Sequence, residues 1–209
     1  MGIDITGFSK ARRVGRHSDE TCEQDEHYPV GSCRKFLDGR KPNCCYVCEG
    51  KHFYLYASYG AFDTWQNALS LVVYGVPSCE AVDHPRKYKG KPFIELIDFP
   101  FSNDVGFGPV TSARLYEDFE KYAAKTKKGF QRLTAEAAAR SAKSKKRPAS
   151  SKNYTARLAT RLMNGIGGMV VGGDDDPESI AWEWKWAMYL EFRRAFKLAS
   201  DDGLVLMSI

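Results

Sequence analysis

The sequence predicts an α+β domain, with a small mixed or antiparallel sheet packed against about three to four helices and a basic, largely helical insertion. Three observations predict this class. Short segments with the alternation of strands are separated by segments with helical periodicity, in an order too irregular for a repeating βαβ series. One stretch is rich in lysine, arginine and alanine and poor in large apolar side chains. With 43% hydrophobic and 27% charged residues, the composition excludes a chain that is disordered throughout.

Four segments have the pattern of strands. Gly2–Phe8 alternates apolar and polar residues like a half-buried strand, and His52–Ser58 is an aromatic-rich run with strand propensity. Residues 92–99 (PFIELIDF) predict a third strand, and residues 204–209 predict a last one. The predicted sheet therefore draws its strands from both ends of the chain.

A helix is predicted between the second and third of these strands. Asp63 is a good N-cap residue, Gln66 follows three positions later as in a capping box, and apolar residues then repeat with helical spacing. Gly75 and Pro77 end this helix.

Two more helices are predicted towards the end of the chain. The first is capped by Thr111 or Ser112, and the second begins at Pro177. The second helix carries three aromatic residues on one stripe, which predicts that they face the core: Trp182, Trp186 and Tyr189. Trp184 lies on the other side of this helix and marks a candidate contact surface.

The charge divides the chain into two parts. Residues 121–161 contain thirteen basic side chains and one acidic one, whereas the rest of the chain contains 18 basic and 25 acidic side chains. Such a biased segment buries little apolar surface. We therefore predict a body formed by residues 1–123 and 177–209, which includes a cysteine-rich loop at 22–48, and an insertion formed by residues 124–176.

Neither a membrane span nor a signal peptide is evident in the sequence. No apolar run approaches the roughly 18 to 20 residues that cross a bilayer. The first residues lack the basic flank and apolar centre of a secretory signal. We therefore expect a cytoplasmic protein without a membrane partner.

Three stretches of the chain form a recognisable combination. They are MGIDITGFSK at the start, SYGAFDTW with FIELIDFPFSNDVGFGP and LYEDF in the middle, and FRRAFKLASDDGLVLMS at the end. Together they resemble a family of small proteins of tailed bacteriophages and prophages that has no assigned activity. The resemblance covers most of the chain apart from residues 22–48 and 124–176, and it implies a phage protein that acts in the cytoplasm of the bacterial host. Val105 departs from it, because an acidic residue is expected in that loop.

Five of the six cysteines lie between residues 22 and 48. In a reducing cytosol such a cluster is more typical of metal binding than of disulfides. The CxxC spacing of Cys45 and Cys48 allows two thiolates to meet one Zn²⁺. The predicted ligands of a structural zinc are Cys22, Cys33, Cys45 and Cys48. Alternative ligands are Cys44, His27 and His52, and a set of free thiols is the alternative to a metal site.

Two loops that lead into predicted helices suggest a ligand site. If the segments at 52–58 and 92–99 are neighbouring strands, both loops open on one edge of the sheet, where backbone N–H groups and helix dipoles favour an anion. The candidate nucleotide or phosphate site is formed by Ser58, Tyr59, Gly60, Asn103, Asp104 and Thr111. The same residue types are also those that turns and helix caps require.

The basic segment suggests contact with nucleic acid. Its cations could neutralise the phosphates of DNA or RNA without sequence selectivity, with Phe130 and Tyr154 available for stacking. The predicted contacts are Lys143, Lys145, Lys146, Arg147 and Lys152. A solvated helix, or one that binds an acidic protein surface, has the same composition.

The sequence favours binding over catalysis. It contains no GxSxG or HExxH signature, and Glu80, Asp83 and His84 form only a loop cluster that could bind a metal or act in acid–base chemistry. We expect a phage-encoded accessory protein that binds a host or phage protein, such as a defence component. The two alternatives are a protein that binds or hydrolyses nucleotides or phosphoesters at the candidate edge, and a nucleic-acid-binding protein that uses the basic segment.

Overall fold

The computed structural model describes residues 2–16, 27–32, 36–98, 105–144 and 181–208. Within these residues two antiparallel sheets pack with helices, which confirms the predicted α+β class. The strands are β1 (Gly2–Phe8), β2 (Ala11–Arg16), β3 (His27–Val30), β4 (Cys44–Cys48), β5 (His52–Ser58), β6 (Val105–Phe107) and β7 (Leu204–Ser208). The helices are α1 (Tyr59–Val73), α2 (Ser78–Asp83), α3 (Pro85–Tyr88), α4 (Ile94–Ile97), α5 (Pro109–Ser144) and α6 (Trp182–Ala199).

The larger sheet has the strand order β5-β1-β7-β6. β1 pairs with β5 from Gly2 opposite Ser58 to Phe8 opposite His52, and β7 pairs with the other side of β1. The short strand β6 pairs with β7, with Val105 opposite Met207. The strands predicted at the two ends of the chain are confirmed, and the structure places them next to each other, with β5 and β6 at the opposite edges of this sheet.

The smaller sheet has the order β2-β4-β3, so the cysteine-bearing strand β4 is central. It covers part of the larger sheet through a second apolar cluster formed by Phe8, Val30, Tyr46 and Leu206 among others. The other face of the larger sheet packs on the helices. Gly7 lies beneath α6, where a Cβ atom would be 3.1 Å from the Ala195 Cα, so its lack of a side chain permits this close approach.

The first helix begins earlier than the sequence predicts. Its N-cap is Ser58, whose Oγ accepts a hydrogen bond from Ala61 N at 3.3 Å, and Asp63 lies within the helix on its exposed side. Ser58 and Asp63 are both good N-cap residues. Ser58 is the cap because β5 ends there and the helix begins at the next residue. The predicted end of this helix, before Gly75, is confirmed.

The predicted strand at residues 92–99 is wrong. Residues Ile94–Ile97 form one buried helical turn instead, and Phe93 before it has a left-handed backbone with φ 61°. The Gln66 side-chain amide, itself buried, donates to the carbonyl oxygens of Leu96 and Ile97 at 2.6 and 3.0 Å. A short apolar run buried on all sides does not distinguish strand from helix by its pattern, and here long-range hydrogen bonds determine the outcome.

The tryptophans of α6 also differ from the prediction. Trp184, predicted to face outward, is buried with 4% of its surface exposed. Trp182 and Trp186, predicted to be core, lie at the margin of the core and are partly exposed, whereas Tyr189 is fully buried as expected. Helix α6 packs against both α5 and the larger sheet, so more than one of its faces is buried. This explains why Trp184 is buried although it lies off the predicted apolar stripe.

Helix α5 runs through the predicted boundary between body and insertion at residues 123 and 124. Beyond that boundary Thr126 and Phe130 are fully buried, and Ala137 has 6% of its surface exposed. The helix therefore continues to pack on the body for several turns into the segment that the composition assigns to an insertion. Of the helices in the described residues, none combines the length and apolarity that crossing a bilayer requires.

Candidate functional site

The topology separates Ser58 and Thr111, two described residues of the predicted nucleotide edge. Ser58 ends the edge strand β5 beside Gly2, at the end of the sheet where β6 begins. Thr111 follows the end of β6, at the opposite end of the sheet and on its far edge. Three strand spacings, about 14 Å in total, separate the two edge strands. The prediction required 92–99 to be a strand, whereas Ile94–Ile97 within it is helical.

The backbone groups of Thr111 already have an anionic partner. The Asp38 carboxylate accepts hydrogen bonds from Thr111 N at 2.6 Å and from Thr111 Oγ1 at 2.8 Å, and Thr111 is 7% exposed. An internal carboxylate thus caps the N-terminus of α5, at a position where the sequence predicts a ligand phosphate. Tyr59 and Gly60 form the first turn of α1. Asn103 and Asp104 lie outside the described residues.

The four predicted zinc ligands are only partly described. Cys45 is in a disulfide, and a sulfur in a disulfide has no thiolate to offer a metal, so zinc binding through Cys45 requires its reduced form. The Cys48 thiol is free and lies 3.4 Å from the Lys51 carbonyl oxygen. Cys22 and Cys33 lie outside the described residues. Within the described residues no group of three potential ligands lies together. A structural zinc at these cysteines stays a prediction.

The other polar clusters of the sequence analysis lie on the surface. Glu80, Asp83 and His84 line an open depression of about 530 Å³ together with Arg86 and Lys87; Glu80 is partly exposed and the other four residues are exposed. The Lys87 ammonium lies 3.8 Å from the Glu80 carboxylate. An exposed ion pair of this kind is screened by water and supplies no enclosed site for chemistry.

Helix α5 carries a strongly charged surface. Four basic side chains recur there at i, i+4, i+7 and i+11, and all four are exposed. At 100° per residue they fall within an arc of about 60°, and they extend over about 16 Å of helix. We call this surface the basic stripe; it consists of Lys121, Lys125, Lys128 and Arg132.

Packing of the opposite side of α5 orients the basic stripe. Thr126 and Phe130 face the core and are fully buried, and Tyr122 packs against the core beneath two of the cations. The ammonium groups of Lys121 and Lys125 lie 5.6 and 5.9 Å from the centre of the Tyr122 ring. These contacts hold the stems of the two lysines while their charges stay in solvent.

Little within the described residues neutralises the basic stripe. One ion pair there involves it, between Arg132 and Glu136 at 3.6 Å, and both side chains are more than half exposed. Glu136 is also the only acidic residue between positions 121 and 161. In the preceding turns of the same helix the charge has the opposite sign, with Glu117, Asp118 and Glu120. The helix therefore changes from acidic to basic at Lys121.

The nucleic-acid contacts predicted from the sequence lie further along the chain. Lys143 belongs to the last turn of α5, and Lys145, Lys146, Arg147 and Lys152 lie outside the described residues. Phe130, predicted to stack on bases, is fully buried, which corrects that expectation. The density of charge directed the prediction to residues 143–152, whereas the i, i+4, i+7, i+11 spacing would have identified the basic stripe.

Comparison of the chain with models of protein families, with curated proteins and with solved structures found no match.

Proposed function

We propose that this protein acts by binding nucleic acid, and that the basic stripe of α5 contacts the phosphates. The observation that carries the proposal is the alignment of Lys121, Lys125, Lys128 and Arg132 on the exposed side of a helix whose other side is anchored in the core. A fixed row of cations whose Cα atoms rise by about 4.5 to 6 Å from one to the next along the helix axis matches a polymer of regularly spaced negative charges better than it matches a single small anion.

The distribution of charge along the sequence favours the same conclusion. Outside residues 121–161 acidic side chains outnumber basic ones, so the whole basic excess that attracts a polyanion lies in that segment. Binding of this type releases counterions from the nucleic acid, and its affinity falls steeply as salt is added. Four phosphate contacts correspond to a slope of about −3.6 in a plot of log affinity against log salt on duplex DNA.

The experiment compares two variants of the full chain with equal losses of charge. The stripe variant combines Lys121→Gln, Lys125→Gln, Lys128→Gln and Arg132→Gln. The control variant combines Arg86→Gln, Lys87→Gln, Lys89→Gln and Lys91→Gln, at four exposed positions outside α5. Fluorescence anisotropy with labelled nucleic acid, repeated over a salt series, gives the affinity and the slope for each protein.

We expect the stripe variant to reduce the slope by about 3.6 and the control variant to leave it nearly unchanged. Equal effects of the two variants would mean that net charge alone attracts the polymer, and the proposed interface would then be wrong. Retention of the wild-type slope by the stripe variant would also exclude it.

A phage origin, a host or defence component as partner, and action in the bacterial cytoplasm remain predictions from the sequence. A nucleic-acid-binding surface is compatible with each of them, because contact with nucleic acid is one way in which a small accessory protein can reach such a partner. Affinity purification from bacteria that express the stripe variant and the wild type would separate partners held through nucleic acid from partners held by protein.

A further inference from the structure

We infer that the nucleic acid bound by the basic stripe is duplex DNA, with the exposed side of α5 facing the major groove. This inference rests on the proposed function and adds the class of nucleic acid. It follows from three features of the stripe side of the protein: the positions of the aromatic rings, the size of the side chains between the cations, and the width of the exposed face.

None of the aromatic residues of α5 is exposed on the stripe side. Phe119 and Phe130 are fully buried, Tyr116 and Tyr122 pack against the core, and lysines cover the Tyr122 ring. On α6, the half-buried rings of Trp182 and Trp186 lie beneath the Lys127 ammonium, at 5.9 and 5.4 Å. Proteins that hold single strands gain much of their affinity from bases stacked on open rings, and no such ring accompanies the stripe within the described residues.

Small side chains lie between and after the cations. Ala124 and Ala135 are exposed on the same side of the helix as the stripe, and Gln131 is exposed beside Arg132. Because alanine hardly extends beyond the backbone, the helix itself can come close to a surface there, while the stripe on one side of the alanines and the exposed Lys127 on the other side reach outward. This arrangement suits a groove bordered by two rows of phosphates.

The diameter of the helix fits the major groove of B-form DNA better than that of A-form RNA. A helix with its side chains is about 10 to 12 Å in diameter, and the major groove of B-form DNA is about 12 Å wide. The major groove of A-form RNA is deep and too narrow to admit side chains. Roughly half of the circumference of α5 is exposed between residues 121 and 136, so the helix can enter a wide groove on that side.

The test uses three probes of equal length and matched sequence: duplex DNA, duplex RNA and single-stranded DNA. We expect the full chain to bind duplex DNA most tightly at each salt concentration, and the stripe variant to lose this preference along with its affinity. If all probes bind through the stripe but single-stranded DNA or duplex RNA binds as tightly as duplex DNA, this inference is overturned and the proposed function stands. If none of the probes depends on the stripe, the proposed function itself fails.

A single substitution should affect the affinities for duplex DNA and for single-stranded DNA differently. Ala135→Trp places a large ring on the stripe side, which obstructs a groove but offers a platform for an unpaired base. We expect duplex affinity to fall about fivefold or more, because a bulky ring prevents the helix from approaching. The matched control is Val110→Trp, at a 70% exposed position near the start of the same helix, which should change neither affinity. A duplex affinity that is unchanged or higher in Ala135→Trp would contradict the groove geometry.

Discussion

Asp118 is a carboxyl group whose surroundings oppose its charge. It lies half-buried on α5, and its Oδ2 atom accepts a hydrogen bond from Phe93 N at 3.0 Å. Desolvation by burial raises its pKa, and the nearby Glu95 carboxylate adds to the rise, whereas the Phe93 N–H and Arg114 act against it. The same hydrogen bond helps to hold Phe93 in its left-handed conformation. Asp118 thus supports the local fold, although burial of its carboxyl group disfavours the charged form.

Asp118→Asn should raise the stability of the protein at neutral pH. The folded pKa lies above the unfolded one, so the stabilising contribution of Asp118 is present below its ordinary pKa of 3.8 and is lost as the pH rises towards the higher folded value. Asparagine keeps an oxygen acceptor for Phe93 N and carries no charge to desolvate. The measurement is the free energy of unfolding in urea for both proteins between about pH 3.5 and 7.

The advantage of the asparagine variant should shrink as the pH falls, because the wild-type carboxyl then becomes neutral too. Asp63→Asn, on the exposed side of α1, is the matched control for the loss of one carboxylate charge. A variant less stable than wild type at neutral pH would show that the charged form of Asp118 is the one the fold needs.

Helices α1 and α5 are brought together by a glycine. A Cβ atom at Gly129 would lie 2.6 Å from Val72 Cγ1, closer than packed carbon atoms approach. Glycine in the middle of a helix costs about 1 kcal/mol relative to alanine, and its presence here allows the two helices to approach closely. The need for glycine at position 129 arises from the close crossing of α1 and α5, so the sequence of either helix alone does not reveal it.

Gly129→Ala should therefore destabilise the protein even though alanine is the better helix former. We expect a loss of about 1 to 3 kcal/mol, because the added methyl group forces the Val72 side chain or the backbone to move. Gly60→Ala is the matched control: it lies in the first turn of α1 with no atom within 4 Å of an added Cβ, and it should be neutral or slightly stabilising. Chemical denaturation of both variants measures the difference, and a stabilised Gly129→Ala would show that the crossing has room to spare.

Local pattern predicted some elements well and failed where burial is complete. Strands β1, β5 and β7 each have a regular alternation or a concentrated strand propensity, and the sequence identifies them almost to the residue. The segment around Ile94–Ile97 is buried on every side, so its apolar pattern carries no period that separates strand from helix. The capping of α5 by Asp38 could not be predicted from local pattern, because Asp38 lies 73 residues away from Thr111 in the chain.

Over the whole molecule, the excess of positive charge lies in residues 121–161, and the exposed side of α5 carries the first part of it. Neighbouring cations of the basic stripe stand three or four residues apart, a spacing at which like charges destabilise a helix by about 0.2 to 0.5 kcal/mol per pair. Three such pairs occur along Lys121, Lys125, Lys128 and Arg132. The fold thus carries a repulsion that a bound polyanion would relieve.

Added salt should stabilise the wild type more than the stripe variant. Salt screens exposed charges over a distance of about 10 Å at 0.1 M, so it weakens the repulsion along the stripe. The four glutamines of the stripe variant have no such repulsion to screen. Thermal unfolding of both proteins between about 0.05 and 0.5 M salt tests this, and an equal salt dependence would show that the stripe cations are neutralised within the protein itself.

The sequence by itself determined the α+β class, the terminal strands, the acidic and basic parts of the chain, and the helical phase that aligns the stripe, because these features depend on the composition and spacing of residues close together in the chain. The tertiary structure alone decided that Ser58 and Thr111 lie at opposite ends of the sheet, that Asp38 occupies the predicted anion site, and that Phe130 faces the core. Strand order, long-range hydrogen bonds and helix packing involve partners distant in the chain, and no local pattern specifies which partner is chosen.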